Sequence, residues 1–277
     1  MLALYFGACA FAQIVTGIGD GYPGSRMNSE SLARRPQQRP RPAAASEPRV
    51  VVFAGDRVIP QFVDGGLWQT SLTLVNLENH ATSFDILFLD DNGYDFSVPI
   101  SGTGTVKGLH VSLDAAASVT VQSTGRNPNL TTGWALLSQT NSDSVGMFAI
   151  FRQFIPGGQA QEAVVPSVNQ FASHFVLPFD NTNFITGIAM ANPTTSSVVI
   201  PVNIRNEAGQ IIDTRKFSLP PYGHAAFALP DVWSSTIGIR GNIEFLTSGF
   251  GVGALGLRFN GAAFTSLNVL ENIAWTR

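Results

Sequence analysis

From Thr70 onward the apolar and polar positions alternate with a period of two, and the alternation is written twice. The stretch Thr70-Ser71-Leu72-Thr73-Leu74-Val75-Asn76 returns as Thr186-Gly187-Ile188-Ala189-Met190-Ala191-Asn192, and the turn Asp90-Asp91-Asn92-Gly93 returns as Asn206-Glu207-Ala208-Gly209, both at an offset of 116 residues. Phe84, Ile86 and Phe88 alternate with Asp85, Leu87 and Leu89, and their counterparts Ile200, Val202 and Ile204 alternate with Pro201, Asn203 and Arg205. The same parity at matched positions predicts strands with one face on a core in both copies. What repeats is the apolar pattern and the turn glycine while polar residues drift, so the repeated unit is a fold rather than a catalytic site.

Turns separate these strands at short intervals. Gly93 and Gly209 stand where a hairpin needs positive φ. Ser218 to His224 is a proline-braced turn whose partner is Ser112 to Ser118; there the offset drops to 106, which puts about ten extra residues in the first copy, most simply within Ser101 to His110. Gly133 to Leu137 then matches Gly241 to Phe245, and Val145 to Ile150 matches Val252 to Leu257, followed by a last strand near Gln161 to Val165 or Thr265 to Leu270. About seven strands per copy and no convincing helix predict an all-β chain of two tandem immunoglobulin-like antiparallel β-sandwiches, spanning 50–166 and 174–277. The connection from Pro166 to His174 is short, so the sandwiches are expected end to end with limited swing, each folding by itself.

Upstream of the repeats there is little to fold. Residues 1–12 are uncharged and apolar and close on Ala10-Phe11-Ala12, which reads as a signal peptide truncated ahead of its positive region, with the true start upstream. Cys9, the single cysteine, is a second candidate there as a lipid-bearing residue, and it leaves no disulfide to brace either domain. Residues 13–49, with Arg34-Arg35-Pro36 and Arg39-Pro40-Arg41-Pro42, read as a disordered linker kept soluble by charge, or as a tether to an anionic surface. A secreted or cell-surface location is therefore expected. No segment is long enough to cross a bilayer as a helix.

Composition narrows the partners. Charged residues are 13% against a usual ~25%, and the formal net charge is −3. A nucleic-acid partner is excluded on that ground, because phosphate binding needs a basic field.

Four runs carry a resemblance: Phe175 to Thr182, Ala189-Met190-Ala191-Asn192-Pro193, Leu219 to His224, and Ala254 to Asn260, with weaker versions at Trp68-Gln69-Thr70 and Phe148 to Gln153. Over roughly Val50 to Leu270 the chain resembles the tandem immunoglobulin-like modules of secreted acidobacterial proteins. The resemblance implies fold and secretion, and brings no catalytic residue and no cofactor.

Candidate chemistry is sparse. His80, His110, His174 and His224 have no metal-ligand spacing, and His224 aligns with Ser118, so the shared fold does not demand it. Gly102 to Gly108 lacks the phosphate-loop spacing and reads as a hairpin tip. The best calcium candidate is Asp90, Asp91, Asn92 and Asp95, three carboxylates and an amide on one turn, set against a plain hairpin turn. Trp134 is out of phase with the inward Ala135 and Leu137 and aligns with the polar Asn242, so it is expected to face solvent, where an indole stacks on a sugar ring or a partner's apolar patch, or else to lie under a neighbouring loop or the other domain. Tyr94 and Tyr222, at turns, would extend that ligand-binding surface; Trp68, in phase with Leu72 and Leu74, is expected in the core.

Three functional classes follow: a non-enzymatic surface module binding polysaccharide or a cell-surface protein or spacing other domains, a subunit that adds to another chain by strand pairing at a sandwich edge, and an enzyme with a site at the domain junction. The first fits the repeat and the tether best.

Overall fold

The computed structural model describes residues 56–138, 144–169, 174–247 and 251–271. The expected signal peptide and the linker at 13–49 lie outside them. The chain is all-β, and its sheets are antiparallel. In the first half β1 (Arg57–Asp64), β2 (Trp68–Asn76), β3 (Thr82–Leu89), β4 (Val98–Ile100), β5 (Gly104–Val106), β6 (Gly108–Leu113), β7 (Ser118–Gln122), β8 (Thr131–Ser138), β9 (Val145–Gln153) and β10 (Gln161–Pro166) form sheets ordered β1-β8-β3-β6 and β10-β9-β2-β7, plus the β4-β5 hairpin. The second half has β11 (His174–Asp180), β12 (Ile185–Ala191), β13 (Val198–Asn206), β14 (Ile211–Leu219), β15 (His224–Ala228), the short helix α1 (Leu229–Val232), β16 (Arg240–Leu246), β17 (Gly253–Asn260), β18 (Ala263–Leu267) and β19 (Leu270–Glu271). Its sheets run β19-β11-β16-β13-β14 and β18-β17-β12-β15, so apart from the added edge strand β19 the paired sheets of the two halves share one order.

The period of two accounts for this. Along β2 and β9 buried and half-buried residues alternate without a break. Ile59, Leu72, Phe84, Ile86, Ala135, Leu137 and Ala149 from the two sheets of the first half meet in one apolar cluster, sandwich-like. Leu177, Ile188, Met190, Ile200, Val202, Ile243 and Phe245 do the same in the second half. The first half's extra residues form the β4-β5 hairpin, which has no counterpart between β13 and β14. Two short helical elements depart from the strand pattern: α1, with Pro230 in its first turn, and a 3-10 turn at Ser234–Thr236, which flank the buried Trp233, whose ring lies 5.1 Å from Phe227.

Three polar or glycine positions repeat because the backbone needs them. Asn76 and Asn192, both buried, each donate from Nδ2 to the carbonyl four residues on (His80, 2.8 Å; Ser196, 2.8 Å) and to the turn before the next sheet edge (Asp114, 2.9 Å; Pro220, 2.7 Å). Each accepts at Oδ1 the N–H two residues on, from Glu78 and Thr194. Thr70 and Thr186 repeat as buried links to the end of the preceding strand, at Val63 and Asp180. Gly133 and Gly241 repeat because a Cβ there would collide with the carbonyl oxygen of Leu89 or of Arg205 on the neighbouring strand.

The halves are joined by more than a short linker. The first cluster continues into the second half through Ala189, Ala226, Leu255, Leu257, Phe259 and Phe264, which lie on the opposite face of β15-β12-β17-β18 from its own core residues Ile188, Met190 and Phe227. That sheet therefore buries both faces: β12 is buried at every position after Ile185, where its counterpart β2 alternates. Phe264 reaches Trp68 at a ring separation of 5.0 Å. The second half thus keeps its own core, while the first half's core runs on into it as an apolar seam, a closer contact than an end-to-end arrangement with a short linker leads one to expect.

Asn76→Ala and Asn192→Ala each strand several buried backbone groups, and each is expected to lower unfolding stability by about 1–3 kcal/mol or more, measured by denaturant titration; a loss confined to one copy would mean that the two networks are not equivalent.

Candidate functional site

The residues singled out as candidate ligand binders and the candidate calcium turn come together at the junction of the halves. Trp134 lies on the outer face of β8, as its phase required, yet it is fully buried. The expectation that it faces solvent is corrected, because the turn before β15 sits on it: Trp134 Nε1 donates to the carbonyl of Tyr222 at 3.0 Å. Val58, Leu89, Leu136 and Ala191 surround it, with Leu87 and Tyr222 packed against them. A flat aromatic with a polar N–H is suited to a dry joint that needs one directional bond. No face of the indole is left for a sugar ring. Tyr222 is half-buried in this joint, while Tyr94 is exposed on the neighbouring turn, so the three aromatics do not form one surface. Trp68 is in the core, as its phase required.

The acidic turn Asp90 to Asp95 is also corrected as a calcium site. Asp90 Oδ1 accepts the N–H groups of Asn92 (2.8 Å) and Tyr94 (2.9 Å), closing the turn on itself. Asp95 Oδ2 goes to Lys107 at 3.2 Å. Asp91 Oδ1 accepts Nδ1–H of His224 at 2.7 Å, and the Asp91 carbonyl accepts the His224 backbone N–H at 3.0 Å. The three carboxylates thus turn to three different partners, and among the described residues no group of three or more His, Cys, Asp or Glu is placed to hold a metal. Gly93, at φ 80°, lets this turn approach the second half, since a Cβ there would meet the Pro221 carbonyl oxygen and Tyr222.

An aspartate–histidine pair between the halves is what an enzyme with a junction site would require. Here the His224 side chain is fully buried, and its Nε2 is buried without a hydrogen-bond partner. A general base must reach a substrate proton. Packed under this joint, the imidazole ties the second half's turn to Asp91 of the first half, as a clamp.

A second polar group was not anticipated from the sequence. On the outer face of β16, Glu244 accepts His174 Nε2–H (2.8 Å) at one oxygen, and Asn203 Nδ2 (2.9 Å) and Arg205 Nη2 (3.2 Å) at the other. Burial pushes the Glu244 carboxyl up, but the hydrogen bonds from Asn203, Arg205 and His174 and the Arg205 charge outweigh it and hold the group below its ordinary 4.5. Both carboxylate oxygens are held by neighbours on β11 and β13, which makes a lock across the three strands. The signal that would have found it is a mismatch between copies: the matched positions of Asn203, Arg205 and Glu244 hold Leu87, Leu89 and Leu136 in the first half.

A cleft of about 370 Å³ opens beside the connecting segment, lined by Ser167, Asn169, Phe175, Val252, Leu267 and Asn268 among others. Among the described residues no titratable side chain lines it; those that do offer shape and amide hydrogen bonds.

Trp134→Ala is expected to destabilise the chain by about 3–5 kcal/mol, read from denaturant melts; an unchanged melt would place the indole outside the joint. Because the Glu244 carboxyl is held low, its stabilisation is present above pH ~4.5 and is lost as pH falls through the folded-state value. The stability difference between the native chain and Glu244→Gln should therefore shrink on acidification below about pH 4.5, and a constant difference would contradict the lock. In comparison with protein-family models and with curated proteins, the chain finds no match.

Proposed function

We propose that this chain is a non-enzymatic, secreted or cell-surface module: two tandem immunoglobulin-like β-sandwiches, over 50–166 and 174–277, that act as a rigid spacer or as an adhesive module binding polysaccharide or a surface protein. The observation that carries the reading is the use made of the candidate chemistry. Trp134, Tyr222, Asp91 and His224 are committed to one inter-half joint, which stiffens the pair.

The immunoglobulin-like assignment is supported by the central pairings. β2 pairs with β7 and β3 with β8, as strands B with E and C with F do in immunoglobulin sheets. The outer strands are exchanged: β1 lies beside β8, where strand G is usual, and β9 lies beside β2, where strand A is usual.

Assembly by strand pairing finds less support. The long edge strand β14 carries Asp213, Arg215 and Lys216, and charges on an edge discourage a partner strand. Of the edge strands without Asp, Glu, Lys or Arg, which are β6, β7, β15 and β18, β7 is covered at its end by the β4-β5 hairpin, through Ser101 N–H to the Gln122 carbonyl and Thr124 N–H to the Pro99 carbonyl.

The labelled full chain is to be incubated with immobilised glycans and insoluble cell-wall polymer. Retention with no release of soluble product is the expected outcome; time-dependent release of cleaved polymer would overturn the non-enzymatic reading.

A further inference from the structure

The two halves carry the same outer sheet face with opposite chemistry. In the first half, the cross-strand row Val58, Leu136 and Leu87 and the pair Trp134 and Leu89 form the seat on which the second half's turn rests. In the second half the same register positions hold Val176, Glu244 and Asn203, and Asn242 and Arg205. The offsets agree strand by strand, at 116 from β3 to β13 and 108 from β8 to β16.

The rest of the seat is intact in the second half. Gly209 has φ 79°, matching Gly93 at 80°, but nothing lies within 4 Å of where its Cβ would be, whereas Gly93 touches Pro221 and Tyr222. Glu207 keeps an acid where Asp91 meets His224. The turn that would sit there also has a free copy: Ala116, at φ 56°, matches Tyr222 at 53°, and Asp114, Ala115, Ala116 and Ser118 are exposed.

We propose that the face built by Asn203, Arg205, Asn242 and Glu244 with His174 is a polar cap that ends a head-to-tail series at the second half. A head-to-tail contact that is not closed by symmetry continues without limit, and stacked repeats end in a unit whose outer face is polar. Docking a further unit on this face would bury Glu244 and Arg205 more deeply and strip water from Asn242, with only the docked turn's backbone groups, such as the carbonyl that Trp134 uses, offered in return. The free turn lacks the residues that make the joint, having Ala116 for Tyr222 and Ser118 for His224. Two separate features, a polar seat and a truncated plug, therefore oppose the same contact.

The test exchanges the chemistry of the faces. One variant carries Asn203→Leu, Arg205→Leu, Asn242→Trp and Glu244→Leu; a second carries Ala116→Tyr and Ser118→His; a third carries all six. In sedimentation velocity over a concentration series, the sixfold variant is expected to associate until its weight-average mass is about twice that of the native chain or more, while the turn variant keeps the native mass. The cap is overturned if the turn variant associates as strongly as the sixfold one, if the fourfold variant does so without the new turn, or if the sixfold variant stays at the native mass. Should the apolar exchange prevent folding, Leu136→Glu tests the converse by placing the cap's carboxylate in the occupied seat. Cleavage by a dilute protease within 166–169 is then expected to accelerate by about tenfold or more, and cleavage at the native rate overturns the proposal.

Discussion

The structure depends on one sheet that is apolar on both faces. In β15-β12-β17-β18, Ile188, Met190 and Phe227 close the second half's own core, while Ala189, Leu255, Leu257 and Phe259 complete the first half's. The strands β1 and β10 stand at the same side of the two first-half sheets, and it is there that β12, β17 and β18 meet them. A sandwich left open along that side would expose contiguous apolar surface, which soluble proteins rarely tolerate. Small residues make the close approach possible: Gly187, Ala189 and Ala191 stand in β12 where Ser71, Thr73 and Val75 stand in β2. Covering that surface is what turns two copies of a fold into one body.

Around this seam the polar residues sort into two kinds. Those that repeat, Asn76 with Asn192 and Thr70 with Thr186, serve the backbone of each copy and would be needed in either alone. Those that do not repeat report the neighbour. Trp134 faces Asn242 across the alignment because one is covered and the other is not; His224 replaces Ser118 because its turn has an aspartate to meet. The difference between copies is thus a map of the joint, written in residues that a single domain would have no reason to keep.

Much of this fold is legible in the sequence. Period-two alternation at Leu72, Leu74, Phe84 and Ile86 marks inward faces from local information alone, and the turn glycines and the ten-residue change in offset locate the hairpins. Phase also put Trp134 correctly on the outer side of its strand. Phase cannot say what covers an outer side, since burial there is decided by residues some 90 positions away, such as Tyr222. The acidic turn is a related case: composition shows three carboxylates close in sequence, but not that they turn apart, to Lys107, to His224 and to the turn's own backbone. The helix α1 escaped notice because four residues carry no periodicity to read.

The shared seam is tested most directly by calorimetry of the full chain, comparing calorimetric with van't Hoff enthalpy. One transition with a ratio near one is expected if both halves lose their cores together. Two resolved transitions, the second unaltered by substitutions at Leu255 or Phe264, would show two separate cores and contradict the seam.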